Sequence, residues 1–330
     1  MPSNQQSEIL KVKGLKTYFF TPRGVVKAVD GISFSLKKGE CLCIVGESGS
    51  GKTVTALSIL GLVESPPGRT LEGEVLFHGE DLLKLPSKKL REIRGRRIAM
   101  IFQDPQSSLN PVLTIKDQII EQIRLHLPLD DREAKDRVIH LLELMGIPQP
   151  EKRIEEYPHQ FSGGMKQRVM IAMAMSCDPE IIIADEPTSA LDVTVQAQIL
   201  DLLKELKEKR ELSIIFITHD LGIVADIADR IVVMYAGKTM ERGNVFDIFD
   251  DPKHPYTKGL LECLPDVSGV KGKLPSIPGT IPSMIDPPEG CVFHPRCKFR
   301  MKVCSRAEPT EIPISGHHTV ACHLYGGGEG

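Results

Sequence analysis

Gly46-Glu47-Ser48-Gly49-Ser50-Gly51-Lys52-Thr53 follows the apolar run Cys41-Leu42-Cys43-Ile44-Val45 and has the spacing G-x-x-x-x-G-K-S/T. The glycines let successive backbone N–H groups turn toward one anionic centre, and the helix expected next adds its positive N-terminus. Lys52 is placed to reach terminal phosphates and the Thr53 hydroxyl to ligate magnesium. The chain is therefore expected to hold a nucleoside triphosphate. Gly46, Ser48, Gly49, Ser50, Gly51, Lys52 and Thr53 are its candidate contacts. A glycine-rich turn that merely joins strand to helix would not need all of these residues in this setting.

Around this loop the composition is that of a globular chain: 330 residues, 41% hydrophobic, with a formal net charge of -3. That length accommodates one large or two modest domains. Mixed charge and the lack of a basic arm argue against nucleic acid as a partner. The polar start has no apolar signal-peptide core, and no segment approaches the roughly 20 apolar residues that span a bilayer. A cytosolic protein is expected, with any membrane role exercised through a partner.

Residues 25–36 alternate as a half-buried strand, and residues 53–62 read as the helix after the loop. A Pro/Gly break follows at 64–70, then strands at 73–78 and 98–102. Residues from about 104 to 177 are mostly helical, with amphipathic stretches near 115–123 and 132–145. Strand patterns return at 181–184, 213–218 and 230–235, with a Leu-rich helix over 193–209. Beyond Asp250, Pro252, Pro255, Pro265, Pro275, Pro278, Pro282, Pro287 and Pro288 disfavour long regular elements and imply a separate small unit. The closing Gly326-Gly327-Gly328-Glu329-Gly330 reads as a frayed tail.

Ile181-Ile182-Ile183-Ala184-Asp185-Glu186 is a buried-strand pattern that ends in two adjacent carboxylates. Strand alternation sends them different ways, so they can take different roles. Asp185 would hold magnesium, directly or through water, and Glu186 would polarise an attacking water as general base.

Phe161-Ser162-Gly163-Gly164-Met165-Lys166-Gln167-Arg168 places a serine and two glycines before a helical pattern, a second anion-binding helix start. One nucleotide does not need two such starts from one subunit. Here the chain resembles the ATP-binding cassette (ABC) ATPases, whose signature motif this stretch matches, with Met165 where many members have Gln. The resemblance implies an α/β phosphate-loop NTPase fold: a RecA-like core, an antiparallel β subdomain, the helical insertion at about 104–177, and a small Pro/Cys-rich extension. The ATPase domain would occupy residues 1–250 and the extension 251–330. In that family two cassettes meet head to tail. Each ATP would lie between one phosphate loop and the opposite Ser162-Gly163-Gly164 edge.

The same resemblance gives Gln103 as the residue that reaches magnesium and links the core to the insertion. His219 is given as the switch histidine that contacts the terminal phosphate. Ser189-Ala190-Leu191-Asp192 corresponds to the loop that carries signals across the dimer, with Asp192 its main polar member. Tyr18 is the candidate adenine-stacking aromatic, in competition with Phe19 and Phe20.

Residues 102–111, with His254-Pro255-Tyr256-Thr257 and the Pro-rich extension, make the chain similar to ATPase subunits of bacterial dipeptide and oligopeptide importers over about residues 8–324. This implies ATP hydrolysis coupled to transport at the cytoplasmic face of the membrane. The implied partners are two transmembrane permease subunits, a second related ATPase or another copy of this chain, and an extracytoplasmic peptide-binding protein. The insertion around Gln103 to Asn110 would receive the permease. Dipeptides, longer peptides and nickel chelates all stay open as solutes. Tandem cassettes, a long coiled coil or a basic surface would suit a translation or repair ATPase, and none is present; a phosphate-loop kinase would have no use for the signature.

Four of eight cysteines lie in the extension, Cys291, Cys297, Cys304 and Cys322, spaced C-x5-C-x6-C-x17-C. Cys41, Cys43, Cys177 and Cys263 read as small buried hydrophobes. A cytosolic setting disfavours disulfides, and four thiolates suit zinc or a 4Fe-4S cluster. The lack of C-x-x-C pairs disfavours a zinc ribbon, and the importer resemblance implies the iron-sulfur cluster. Zinc and unliganded thiols are the alternatives, with His294, His317, His318 and His323 as possible substitute ligands.

Overall fold

The computed structural model describes residues 7–189, 191–264 and 276–326. Pro265, Pro275, Ala190 and the end of the glycine tail lie outside the described residues. The chain divides into two compact units.

One unit comprises residues 37–40 and 84–217. Its centre is a set of parallel strands, Ile98–Ile101, Ile181–Asp185 and Ser213–Thr218, with Ala184 opposite both Ile101 and Phe216. The middle strand is buried at every position, as an uninterrupted apolar run requires. Helices follow the expected insertion: Ile115–His126, Asp131–Leu144 and Gly163–Met175, then Val193–Arg210. Their starts are written locally. Asp130 and Glu133 form a reciprocal capping box, and the Thr114, Ser162 and Asp192 side chains each accept a first-turn N–H. Lys207, Lys209 and Arg210 sit in the last turn of the long helix, where the helix dipole favours cations.

The other unit comprises residues 8–36, 41–83 and those from 218 onward. It holds a four-stranded antiparallel sheet in the order Gly24–Lys37, Glu8–Thr21, Gly68–Phe77, Glu80–Asp81. The strand Gly68–Phe77 starts inside the expected break, because Phe19 pairs with Gly68 and Tyr18 with Arg69. Prolines 66 and 67 stand just before it, where their missing donors cost no ladder bond.

In the same unit Cys41–Val45 runs parallel to Arg230–Tyr235, with Val45 opposite Val233. Lys238–Asn244 pairs antiparallel with Arg230–Tyr235, and the extension's His318–Val320 pairs with Lys238–Asn244 in turn. Ile312–Ser315 closes that side, and its Pro313 is tolerated because the strand is an edge. The phosphate-loop helix is Lys52–Ile59, shorter than the pattern suggested, and ends in a turn at Gly61. The helix Pro255–Glu262 begins with proline in its first turn and His254 as cap.

Candidate nucleotide site

The strand Cys41–Val45 delivers the phosphate loop, whose glycines are fixed by close approach. Gly46 has φ +155 and a Cβ there would lie 2.1 Å from the Met234 carbonyl oxygen; Gly51 has φ +101 and its Cβ would lie 2.2 Å from that of Ala28. No other residue fits either place. A Cβ on Gly49 would meet nothing within 4 Å, so the loop is open there. Ser50 is buried, and its Oγ finds no hydrogen-bond partner among the described residues. An orphaned hydroxyl beside glycines of forced geometry fits a phosphate cradle. Lys52 is 5% exposed and donates from Nζ to the Gly46 and Glu47 carbonyls at 2.7 and 3.1 Å. Thr53 and Ser48 are exposed, Thr53 in the first helical turn.

Glu47 is held from several sides, which the motif alone did not indicate. Its N–H donates to the Tyr256 hydroxyl at 2.9 Å, and its carboxylate accepts both ends of the Arg296 guanidinium at 2.7 and 3.2 Å. Burial opposes the charge on Arg296, yet hydrogen bonds to Glu47 and Tyr235 outweigh it and raise its pKa. The His254-Pro255-Tyr256-Thr257 segment was the available signal for Tyr256. Buried His254 accepts the Tyr256 N–H at Nδ1, 3.0 Å away, and desolvation pushes its pKa down to about 3.

Tyr18 donates its hydroxyl to Asp30 at 2.6 Å, and burial followed by that bond raises its pKa. Phe19 is half-buried against Gly68, while Phe20 is 46% exposed. His219 is exposed, one residue beyond the strand Ser213–Thr218.

In the other unit, Asp185 is 2% exposed at its strand end. Glu186 turns out of the strand with φ +46, a conformation uncommon for a side-chain-bearing residue. Its N–H donates to the Ile217 carbonyl at 2.9 Å, and its carboxylate accepts the Gln103 Nε2 amide at 2.9 Å. The two residues were assigned separately from sequence; the structure joins them. Ser162 accepts the Met165 N–H at 3.3 Å and stands exposed beside Gly163. Gly164 leaves no room for a side chain, its Cβ falling 2.6 Å from Val195 Cγ1. Asp192 caps its helix through the Val195 N–H at 3.0 Å.

The expected cluster on Cys291, Cys297, Cys304 and Cys322 is corrected by the structure. Among the described residues no three His, Cys, Asp or Glu side chains are grouped so as to hold a metal. Neither an iron-sulfur cluster nor zinc is supported. Burial pushes the Cys291 thiol up to about 11 and raises those of Cys297 and Cys322. Three of the four substitute histidines have other bonds: His294 Nδ1 pairs with the Cys291 carbonyl, His318 with Glu241 and His323 with the Ala307 carbonyl. Polar ties hold the extension instead, among them Arg296 to Glu47, Lys238 to Glu308 and Arg242 to Glu311.

Comparison with known proteins decides the family. Residues 29–189 match the family model described as ABC transporter, and residues 240–304 that described as the oligopeptide/dipeptide transporter C-terminal region. The chain belongs to the ABC transporter family. Within it, this ABC chain is 51% identical over 317 residues to the dipeptide transport ATP-binding protein DppD of Bacillus subtilis (strain 168), covering 96% of this chain and 95% of that one. It is also 51% identical to the oligopeptide transport ATP-binding protein OppD of the same organism, with 96% and 89% covered. A dimeric ATP-binding cassette, MJ0796, solved in a post-hydrolysis state bound to ADP and Pi, superposes with a TM-score of 0.64 at 28% identity, over 72% of this chain and 98% of that one. The expected α/β cassette fold is thus shown. Among the described residues no helix is long and apolar enough to cross a membrane.

Proposed function

We propose that this ABC ATPase binds ATP head to tail with a second cassette and uses its hydrolysis to power uptake of dipeptides or oligopeptides through partner permeases. The observation that carries the nucleotide part is the loop from Gly46 to Thr53, with two glycines that exclude any Cβ and an orphaned Ser50 hydroxyl. Lys52 and the loop amides neutralise the phosphates, and Tyr18, tethered by Asp30, offers its ring to adenine. Thr53, Asp185 and Gln103 present a hydroxyl, a carboxylate and an amide oxygen, the hard oxygen donors that suit magnesium, which would neutralise developing phosphate charge. The Gln103 NH2 faces Glu186, which leaves its carbonyl oxygen for that role.

Glu186 takes the proton from the attacking water, and His219 holds the terminal phosphate. Ser162, Gly163 and Gly164 serve the nucleotide of the opposite cassette, while Asp192 carries the state of one site across the dimer. ATP then acts as interface glue whose hydrolysis releases the pair. The chain works at the cytoplasmic face of the membrane, bound to two permeases through the helical insertion. It pairs with a related ATPase or with itself, and an extracytoplasmic binding protein delivers the peptide. The ATPase domain ends near residue 250 and the extension follows.

Replacing Glu186 by Gln tests this reading. Turnover should fall about 10^2- to 10^4-fold, the usual contribution of a general base, with ATP still bound and a nucleotide-dependent dimer accumulating. Wild-type turnover would remove Glu186 from its role. Unchanged ATP affinity in Lys52→Ala would remove the phosphate-loop site.

A further inference from the structure

The phosphate loop carries an acid, Glu47, beside the place where a triphosphate would sit, and a bare carboxylate there would repel it. Arg296 answers this with all five of its N–H donors. Two go to the Glu47 carboxylate, one to the Tyr235 hydroxyl at 3.3 Å, and two to the Ile277 and Pro278 carbonyls at 3.1 and 2.9 Å. The side chain is 5% exposed, and its guanidinium lies over the Tyr235 ring, 5.7 Å from its centroid. This fork-to-fork pair fixes the carboxylate's direction as well as its charge. Tyr256, itself fully buried, fixes the backbone of the same residue by accepting its N–H. The Glu47 carbonyl completes the hold by accepting from Ser50 N–H and from Lys52 Nζ. A chain of direct bonds therefore runs from the C-terminal region through one residue into the lysine and serine of the cradle.

We propose that Arg296, supported by Tyr256, is a positioning residue of the nucleotide site: it neutralises and locks Glu47, so that the C-terminal region sets the loop's affinity for ATP. The proposal rests on the nucleotide reading above and adds to it a role for the extension other than anchoring. Arg242 provides the contrast. It also ties the extension to the core, through Glu311, Thr319 and the Ser33 carbonyl, and none of these bonds reaches the loop.

The test is binding of a fluorescent ATP analogue to the full chain, the signal coming from the nucleotide because the chain has no tryptophan. Arg296→Gln should weaken binding about tenfold, the scale of one charge-assisted hydrogen bond. Adding Glu47→Gln to it should restore most of the loss, since the uncovered carboxylate is gone. Arg296→Lys, which keeps charge but not the fork, should fall between, and guards against a misfolded Gln variant. Arg242→Gln should bind within about twofold of wild type while losing thermal stability. Wild-type affinity in Arg296→Gln, no recovery in the double variant, or an equal loss in Arg242→Gln would each overturn the proposal. Failure of the nucleotide reading looks different: the wild-type chain would then bind no better than Lys52→Ala.

Discussion

Glu241→Gln should loosen the C-terminal region at one atom pair. Glu241 is fully buried on the strand Lys238–Asn244, and its two oxygens face three donors: Lys253 N–H at 2.6 Å, His254 N–H at 2.9 Å and His318 Nε2 at 2.7 Å. Glutamine keeps one oxygen. The better orientation retains the oxygen that serves Lys253 and His318 and turns an NH2 toward the His254 N–H, donor against donor. A buried unsatisfied donor costs about 1–3 kcal/mol, and the two remaining bonds lose the roughly twofold advantage of a charged acceptor. Together these give a loss of about 4 kcal/mol, or roughly 10 °C in Tm for domains of 150–250 residues. The assay is thermal unfolding beside native-state hydrogen exchange, in which the Lys253 and His254 amides should lose protection first. A Tm within about 2 °C of wild type, with both amides still protected, would refute the reasoning.

Gly51→Ala should abolish nucleotide binding, because its Cβ would meet a main-chain oxygen at 2.2 Å that cannot swing away; wild-type affinity by titration would contradict the cradle geometry. Gly164→Ala should cost about 1–3 kcal/mol by overpacking on stiff Val195, and Val195→Ala should return most of it in a melting experiment. Asp30→Asn should show a definite pH pattern. Burial alone would raise the Asp30 pKa, but Tyr18 and Lys238 outweigh it and hold it below its ordinary 3.8. A depressed carboxylate stabilises the fold above its unfolded pKa and stops doing so as pH falls through the folded one. The stability gap between wild type and Asp30→Asn should thus be full from about pH 7 to 5 and shrink as pH falls below the ordinary 3.8, whereas a gap that widened on acidification would refute the assignment.

The phosphate loop, the carboxylate-ended strand and the signature helix were legible because each is written in consecutive residues: glycine spacing, an unbroken apolar run, a capping serine. The long strand Glu8–Thr21 was not read, since its half-exposed alternation is weak and gains meaning only from its pairing with Gly68–Phe77. Pro density hid the extension's strands, although an edge position admits Pro313. The four extension cysteines show the opposite error. Their count suggested ligands, but spacing along a chain without C-x-x-C pairs sets no geometry, and the fold buries three of them as small apolar side chains.

What sequence could not supply was partnership between distant residues, and in this chain partnership is what turns a motif into a site. Glu186 illustrates why. Its φ of +46 would cost on the order of 1–3 kcal/mol in a free chain, so the surrounding structure must hold it. The Ile217 carbonyl holds its N–H and Gln103 holds its carboxylate. The strained turn aims the side chain, and the glutamine fixes its last rotamer. Glu47 follows the same logic with a different result: an acid that would weaken a phosphate loop by itself becomes tolerable because Arg296, 249 residues further along, covers it. In both cases the motif names the position, while a residue far away in sequence determines whether the charge at that position can act.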